Sequence, residues 1–288
     1  MDPPLISIIL PTYNRSDVLR FAIESVLEQR HVCWELWVVG DACTDDSQQV
    51  VESFGDNRIR FHNLERNSGE PARPTNAGEQ LATGDFFAWL HHDDIWLPEH
   101  LETALDQLRA NQADMVFTRW ARIAGPDDAT QVDEVPGGRF LPLHNIIPSA
   151  WLATRSFTQA IGPWPTFAES LIIPSQQRLF RGWKKGKKML ALPDLTMLHF
   201  PSRTRPNSYI DADATEQSEH WQRIGADADG YRNWLAELPQ HKWRKKRLDR
   251  SLLMALKIHP DVFREIRRGR WKSRQGRKWR RANGLEVN

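Results

Sequence analysis

The chain has 288 residues, of which 40% are hydrophobic and 26% charged, and its formal net charge is +2. This balance excludes a disordered or fibrous chain and predicts a globular protein with one α/β domain plus a tail or a small second domain. Two cysteines, Cys33 and Cys43, are too few for a zinc cluster or a disulfide framework, and no run reaches the roughly 18 apolar residues of a membrane-spanning helix.

The first 110 residues alternate between the patterns of strands and helices. Residues 5–10 are a short apolar run rich in β-branched side chains that ends at Pro11, which predicts a buried strand. Ser16 is predicted to cap the helix that follows, whose apolar residues recur at helical spacing. Further strands are predicted at 35–40, 58–63 and 85–91, each followed by a helix, and the last of these helices ends near Ala110.

Polar residues follow three of these predicted strands. Strands that alternate with helices form βαβ units in a parallel sheet, and such sheets bind ligands beyond the carboxyl ends of their strands. The segments there read PTYNR (11–15), GDACTDD (40–46) and HHDD (91–94). Each carries hydroxyl, amide or carboxylate groups, so the sequence predicts a ligand site at this edge of the sheet.

The second half is less regular and ends in a basic tail. Strands are predicted at 113–123, 145–154, 188–193 and 196–200, with helices at 155–162 and 176–186. From Ala226 onward helical patterns dominate, and residues 241–281 contain 17 Lys or Arg against 3 Asp or Glu. The division into residues 1–225 and a basic helical region, 226–288, follows from this change in composition.

Together these segments resemble the inverting glycosyltransferases of family 2. The resemblance rests on PTYNR, on VVGDACTDDS, on the N-x-G of residues 76–78, and on ATGDFFAWL leading into the aspartate pair and WLPEHL. It covers residues 5–115 closely and continues loosely to about residue 200. It implies the GT-A fold, in which helices flank a mostly parallel central sheet.

The resemblance also implies a reaction. Enzymes of this family transfer a sugar from a nucleoside diphosphate sugar, here with a UDP-sugar favoured, to an acceptor hydroxyl with inversion. They usually use Mn²⁺ or Mg²⁺. Cell-surface polysaccharide or glycan biosynthesis, with a glycan or a lipid-linked acceptor, is the implied setting.

Residues that hold the nucleotide follow by matching the family pattern. Asp41 matches an aspartate that accepts a hydrogen bond from the base, although this chain has Gly40 where the family often has a second acid. Arg73 and Asn76 match positions near the diphosphate or base, and an ordinary surface arginine is an equally good interpretation of Arg73. At the end of the first strand the implied nucleotide-binding residues are Pro11, Thr12, Tyr13 and Asn14.

The HHDD segment stands where the family often has D-x-D. The alignment on the following residues makes Asp93 the metal ligand, and Asp94 a second ligand or an acceptor for a sugar hydroxyl. His199, at a predicted strand end, is implied as a further ligand. Imidazole is a softer donor than a carboxylate, so His91 or His92 in this segment would favour Mn²⁺ over Mg²⁺.

His91 replaces the first acid of that motif, and His92 is implied as a ligand of phosphate. A simpler interpretation is that Asp94 and Glu99 only favour the start of the next helix electrostatically, with both histidines as ordinary polar groups. The sequence alone leaves both interpretations open.

An inverting transfer needs a general base for the acceptor hydroxyl. Where related sequences carry an acid, this chain has Gln176 or Gln177, and an amide is a poor proton acceptor. Glu169, just upstream, is the candidate replacement. A catalytically impaired relative that only binds nucleotide sugar is therefore an alternative function.

The basic tail suggests an anionic partner. Its cations are interspersed with Trp243, Trp271 and Trp279, which suits the surface of an anionic membrane, while nucleic acid fits less well because no recognised motif appears. A nucleic-acid- or membrane-binding module that acts through this tail is a third hypothesis for the function. The start of the chain lacks the features of a signal peptide, so the protein is predicted to be cytoplasmic, with peripheral contact at the inner face of the membrane.

Overall fold

A computed structural model describes residues 3–125, 128–132, 138–140, 144–170, 173–202, 209 and 213–240. The apolar runs of the first half form four parallel strands: β1 (Ile6–Thr12), β2 (Trp34–Gly40), β3 (Ile59–Asn63) and β4 (Phe86–Trp89). All seven residues of β1 are buried. This is expected for a central strand whose two faces are both covered, and the predicted α/β fold with its parallel sheet is confirmed.

Helices connect these strands, as predicted. They are α1 (Ser16–Leu27), α2 (Ser47–Ser53), α3 (Ala72–Leu81) and α4 (His100–Ala110). The prediction that Ser16 caps α1 was wrong, because Ser16 is the first helical residue and Arg15 precedes it without a side-chain cap. Instead, the Ser16 backbone N–H donates to Asp45 Oδ2 at 3.0 Å. A carboxylate from the loop after β2 thus accepts from a backbone N–H at the start of α1 that has no partner within the helix. Sequence spacing could not show this contact.

The second half extends the same sheet with both strand directions. Its strands are β5 (Ile95–Trp96), β6 (Met115–Ile123), β7 (Ala129–Val132), β8 (Trp151–Thr154) and β9 (Met189–His199). The sheet order is β3-β2-β1-β4-β8-β6-β9-β5, and β7 pairs with β6. Because β8 is antiparallel to both β4 and β6, it is the junction between the two halves.

The two closing strands predicted around Pro193 form one strand, β9. Phe117 pairs with Ala191 and Arg119 with Leu195 in a parallel ladder, so residues 192–194 bulge away from β6. Proline cannot donate a hydrogen bond to a ladder, which accounts for a bulge at this position. The strand then continues to His199, and this continuity brings His199 back to the predicted site.

The remaining helices pack on the second half. They are α5 (Arg155–Ile161), α6 (Pro174–Lys184), α7 (Thr215–Ala226) and α8 (Ala228–Glu237). Tyr231 and Leu235 of α8 are buried in one apolar cluster with Ile123 of β6 and Leu198 of β9. The helix α8, assigned from composition to the C-terminal region, therefore packs on the sheet, while the predicted basic tail from residue 241 lies outside the described residues.

Within the described part of the chain, none of the helices combines the length and apolar character that a membrane span requires.

Candidate functional site

The loops after β1 and β2 are tied to each other. Asn14 has φ of 45°, and its side-chain Oδ1 accepts from the Thr44 backbone N–H at 2.8 Å. Its Nδ2 donates to Thr44 Oγ1 at 3.2 Å. An asparagine tolerates the left-handed backbone conformation, so it fixes the shape of the strand-end rim. In this structure Asn14 thus has a structural role, and its predicted contact with nucleotide stays a prediction.

Thr12 and Tyr13 lie on the same rim. Thr12 Oγ1 is buried and has no hydrogen-bond partner among the residues that the structure describes. Tyr13 is half-buried, and its ring centroid lies 6.4 Å from that of Tyr209. A buried hydroxyl without a partner is costly, and a bound ligand would supply one.

Asp41 is buried at the end of β2 and holds the loop that leads to α3. Its two oxygens accept from the Ser68 backbone N–H and from the Gly69 N–H, each at 2.9 Å. Ser68 Oγ also donates to this carboxylate, at 2.9 Å. The predicted contact with a nucleotide base stays a prediction. The observed contacts show that Asp41 links β2 to the residues that line the site.

The start of α3 carries three polar side chains with different surroundings. Arg73 is exposed, whereas Glu70 is half-buried and its carboxylate accepts from the Phe167 backbone N–H. Asn76 clamps the backbone of Trp164, accepting from its N–H at 2.8 Å and donating to its carbonyl at 3.0 Å. Asn76 therefore positions residues 163–166, and its predicted role at the nucleotide is untested.

His91, Asp93 and Asp94 form a cluster that could hold a metal ion. One ligand atom from each residue lies within 4.8 Å of those from the other two. Asp93 is half-buried, and two carboxylates with one imidazole are suitable donors for Mn²⁺, with Mg²⁺ favouring the oxygens. The residues thus fit a divalent cation, as the family motif implies.

Asp94 is the buried member of that cluster. Its Oδ1 lies 2.9 Å from His199 Nδ1 and accepts from the Phe200 backbone N–H at 3.2 Å, while Oδ2 accepts from Ser149 Oγ. Burial by itself would raise the pKa of Asp94, but the nearby His199 and His91 imidazoles and the Ser149 hydroxyl outweigh it and lower that pKa. Asp94 thereby joins His199 to the cluster, and their predicted catalytic and metal-binding roles remain predictions.

His92 belongs to the same segment but not to the cluster. It is buried, its Nδ1 has no hydrogen-bond partner within the described part of the chain, and burial lowers its pKa. Its ring lies 6.0 Å from that of Tyr209, and the Arg15 guanidinium lies 5.6 Å from the same Tyr209 ring. Arg15 is itself paired with Asp17, at 3.0 Å. A neutral imidazole with a free nitrogen fits a polar ligand at this point.

A cleft of about 170 Å³ opens beside His91. Proline and aromatic side chains dominate its wall. The lining residues are Pro11, Glu70, Pro71, Ala72, Thr75, Trp89, His91, Pro148, Trp164, Phe167, Ile173, Pro174 and Ser175. A largely apolar cleft with a few convergent polar groups is the usual form of a small-molecule site, and this one lies at the predicted edge of the sheet.

Glu169, the predicted general base, is fully exposed and does not line the cleft. Its carboxylate accepts from the Thr166 backbone N–H at 2.9 Å, and this bond lowers its pKa. Gln176 is buried on α6. Sequence reasoning missed Glu70, which comes before α3 and is brought into the cleft wall by the contact of its loop with Phe167.

Arg178 of α6 lies behind the cleft, where it pairs with an acid of α3. Arg178 is fully buried and binds Glu79 of α3 through two hydrogen bonds of 2.6 and 2.9 Å. The indole N–H groups of Trp89 and Trp164 donate to Glu79 at 2.8 and 2.7 Å. The Glu79–Arg178 pair thereby stabilises the wall of the cleft, because Trp89 and Trp164 also line the cleft.

The family model of glycosyl transferase family 2 matches residues 7–160, more than half of the chain. The chain belongs to this family. The chain is 34% identical over 133 residues to TuaG of Bacillus subtilis, which is named as a glycosyltransferase of teichuronic acid biosynthesis. The match covers 46% of this chain and 52% of that protein. The chain is 35% identical over 117 residues to WfgD of Escherichia coli, named as a UDP-Glc:alpha-D-GlcNAc-diphosphoundecaprenol beta-1,3-glucosyltransferase. This match covers 41% of this chain and 46% of WfgD. The chain spans about half the length of these curated relatives.

Solved structures of TarS from S. aureus share the fold. The complex of TarS 1-349 with UDP-GlcNAc gives a TM-score of 0.60 at 17% identity, covering 91% of this chain and 81% of the TarS 1-349 chain. The complex with UDP gives 0.59 at 18% identity. At such low identity this likeness shows the GT-A fold and confirms the fold prediction.

Proposed function

We propose that the protein moves a sugar from a nucleoside diphosphate sugar to an acceptor hydroxyl with inversion. The observation that carries this proposal is the meeting of the cleft with the His91, Asp93 and Asp94 cluster at the carboxyl ends of the parallel strands. Two relatives named as glycosyltransferases and the solved complexes with UDP and UDP-GlcNAc support a nucleotide-sugar donor, with UDP-sugars favoured.

In this proposal, different residues of the chain bind different parts of the donor. The rim of Pro11, Thr12, Tyr13 and Asp41 receives the nucleoside, and the cleft receives the sugar that is transferred. A divalent cation held by Asp93, with His91, Asp94 and His199 around it, would neutralise charge on the diphosphate. The half-buried position of Asp93 beside the cleft is what suits it to this role.

We infer the acceptor from the relatives' names. WfgD is named for a diphosphoundecaprenol-linked sugar and TuaG for teichuronic acid biosynthesis, so a lipid-linked or glycan acceptor in cell-surface polysaccharide biosynthesis is the proposed class. Helix α6 supports contact with a membrane, because Trp183, Lys184 and Lys185 at its end are all exposed. Peripheral attachment to an anionic membrane surface follows as part of the proposal.

The test is a donor panel. Purified protein is incubated with UDP-, GDP- and dTDP-sugars, with and without Mn²⁺ or Mg²⁺, and transfer to a lipid-linked acceptor and donor hydrolysis are both measured. Calorimetry with UDP measures binding separately. Binding without turnover would favour the alternative, a relative that only binds nucleotide sugar, which Gln176 and the exposed Glu169 motivate. No binding of any nucleotide would contradict both.

The Asp93→Ala substitution tests the cation site. It should abolish metal-dependent UDP binding, because it removes the half-buried carboxylate of the cluster, whereas His91→Ala should change the preference between Mn²⁺ and Mg²⁺ or have little effect. Isothermal titration of UDP at fixed metal concentration measures both. The control is Asp106→Ala, the same change at an exposed position of α4. Unchanged UDP affinity in Asp93→Ala would refute the assignment.

A further inference from the structure

The wall of the cleft contains one acidic side chain among its described residues, that of Glu70. The other polar side chains of the wall are those of Thr75, His91 and Ser175. A hydroxyl is a poor proton acceptor at neutral pH, and His91 belongs to the proposed cation site. Glu70 is therefore the carboxylate that a substrate in the cleft would meet.

We propose that Glu70 is the general base that deprotonates the acceptor hydroxyl. This inference rests on the proposed function and names a catalytic residue that the sequence pattern did not. It replaces Glu169, whose side chain is exposed and bound to Thr166 of its own turn. Geometry decides between the two acids, because a base must be within hydrogen-bond reach of the proton that it removes.

Contacts from three elements hold Glu70 in place. Its backbone carbonyl accepts from Ser68 Oγ at 2.9 Å, and Ser68 in turn is bound by Asp41 at the end of β2. The residue after it, Pro71, immediately precedes α3. The Phe167 backbone N–H donates to Glu70 Oε2, so one carboxylate oxygen is fixed and Oε1 remains for a substrate. The base is thus oriented before an acceptor arrives.

The charges around Glu70 favour the same role. Burial raises its pKa, and the nearby Glu169 and Asp41 carboxylates raise it further, while the Phe167 N–H and Arg73 act in the opposite direction. A carboxylate whose pKa is raised is a stronger proton acceptor than an ordinary one. His91 is the other titratable group that lines the cleft.

The proposed reaction is a single displacement. The acceptor O–H proton passes to Glu70 Oε1, and the acceptor oxygen forms a bond to the anomeric carbon of the donor sugar. The bond from that carbon to the diphosphate oxygen breaks, and the electron pair leaves with the nucleoside diphosphate. Inversion follows because the acceptor attacks opposite to the leaving group.

Glu70→Gln separates a base from a merely structural residue. Glutamine keeps an oxygen that can accept from the Phe167 N–H, so the cleft wall is preserved, but it takes up no proton. Transfer should fall about 10²- to 10⁴-fold in kcat. UDP affinity, measured by calorimetry, should not change. The matched control is Glu65→Gln, the same substitution at an exposed position of the same loop.

Two further measurements complete the test. In Glu70→Ala, added formate should restore part of the lost transfer, because a small carboxylate can take the place of the missing base. In the wild type, kcat should fall as the pH drops through the raised pKa of Glu70, and Glu70→Gln should lose this acid limb.

Several outcomes would overturn the assignment. One is transfer by Glu70→Gln at the rate of Glu65→Gln. Another is loss of UDP binding in Glu70→Gln, which would indicate a binding role. A third is a large loss in Glu169→Gln while Glu70→Gln stays active. If the wild type binds UDP but transfers no sugar from any donor, the proposed function itself fails, and this result is distinct from a failure of Glu70 alone.

Discussion

Asp93 and Asp94 are neighbours in the chain, yet their surroundings differ. Asp93 is half-buried beside the cleft, whereas Asp94 is completely buried and its oxygens receive bonds from Ser149 and Phe200 and face His199. Residues 92 and 93 form a turn in which the Asp94 backbone N–H donates to the His91 carbonyl at 3.1 Å, and this turn gives the two neighbouring carboxylates different surroundings. At the scale of single residues, Asp93 is the more accessible carboxylate, and Asp94 is held by Ser149 and by the end of β9.

His100 carries a prediction about acid stability. It is completely buried at the start of α4, stacked on Trp96, with its Nδ1 2.7 Å from Thr196 Oγ1. Burial lowers its pKa from 6.5 to about 3. Between about pH 6.5 and pH 3, His100 is therefore protonated in the unfolded chain but not in the folded chain. The free energy of unfolding decreases as the pH falls through this range.

The variant His100→Gln should have a shallower dependence of unfolding free energy on pH than the wild type. Between pH 6 and pH 5 the slopes of the two proteins should differ by about 1 kcal/mol per pH unit, because the unfolded wild type binds up to one more proton than the folded wild type. Urea denaturation at each pH measures it. His62→Gln, at an exposed position of β3, is the control. Equal slopes in the wild type and His100→Gln would show that His100 is protonated in the folded state.

At the scale of elements, the pair Glu79–Arg178 joins α3 to α6. Burial raises the pKa of Glu79 and lowers that of Arg178, while the attraction and hydrogen bonds between the two groups act in the opposite direction. Trp164 contributes to both partners, because its N–H donates to Glu79 and its ring lies 4.7 Å from the Arg178 guanidinium. We predict that the pair specifies how the two helices meet behind the cleft more than it adds net stability.

A double-mutant cycle tests this prediction. Glu79→Gln and Arg178→Met should each destabilise the protein by about 3 to 5 kcal/mol, because each leaves a buried charge unpaired. The double variant should be more stable than either single one, since no buried charge remains. Urea denaturation measures all four proteins, with Asp128→Asn in the exposed pair with Arg122 as a control worth about 0 to 1 kcal/mol. Additive losses would contradict the coupling.

At the scale of the whole molecule, α6 connects the cleft to the surface. Ile173, just before α6, and Pro174 line the cleft, while the other end carries exposed Trp183, Lys184 and Lys185. A helix of 11 residues is about 16 Å long, so an acceptor headgroup could occupy the cleft while its lipid stays in a membrane touched by the far end. This arrangement relates the proposed acceptor to the proposed membrane contact.

Charge reversal at this end of α6 should weaken membrane binding. The double variant Lys184→Glu and Lys185→Glu should bind vesicles of phosphatidylglycerol and phosphatidylcholine at least about 30-fold more weakly, because each of the two lost cations contributes about 1 kcal/mol near an anionic surface. Co-sedimentation at fixed ionic strength measures the affinity. Reversal of exposed Arg20 and Arg109, on α1 and α4, changes net charge equally and is the control. Equal weakening by both pairs would indicate attraction by net charge alone.

Sequence patterns predicted the parts of the site that are local in the chain. The segments after β1, β2 and β4 were placed at one edge of the sheet because parallel strands align their carboxyl ends, and the cluster of His91, Asp93 and Asp94 lies there. Glu70 and Glu79 could not be found in this way. Their partners, Phe167 and Arg178, lie 97 and 99 residues away in the chain, and no local pattern encodes such distances.

The amino-acid sequence by itself determined the family, the α/β fold and the positions of the first four strands along the chain. Hydrophobic periodicity and strand-end motifs are properties of neighbouring residues, so they can be read without the tertiary structure. Tertiary structure alone decided that Arg178 is buried, that Asp94 faces His199, and that Glu70 rather than Glu169 lines the cleft. Burial and pairing depend on what packs against a side chain, and in this protein those neighbours come from the distant half of the chain.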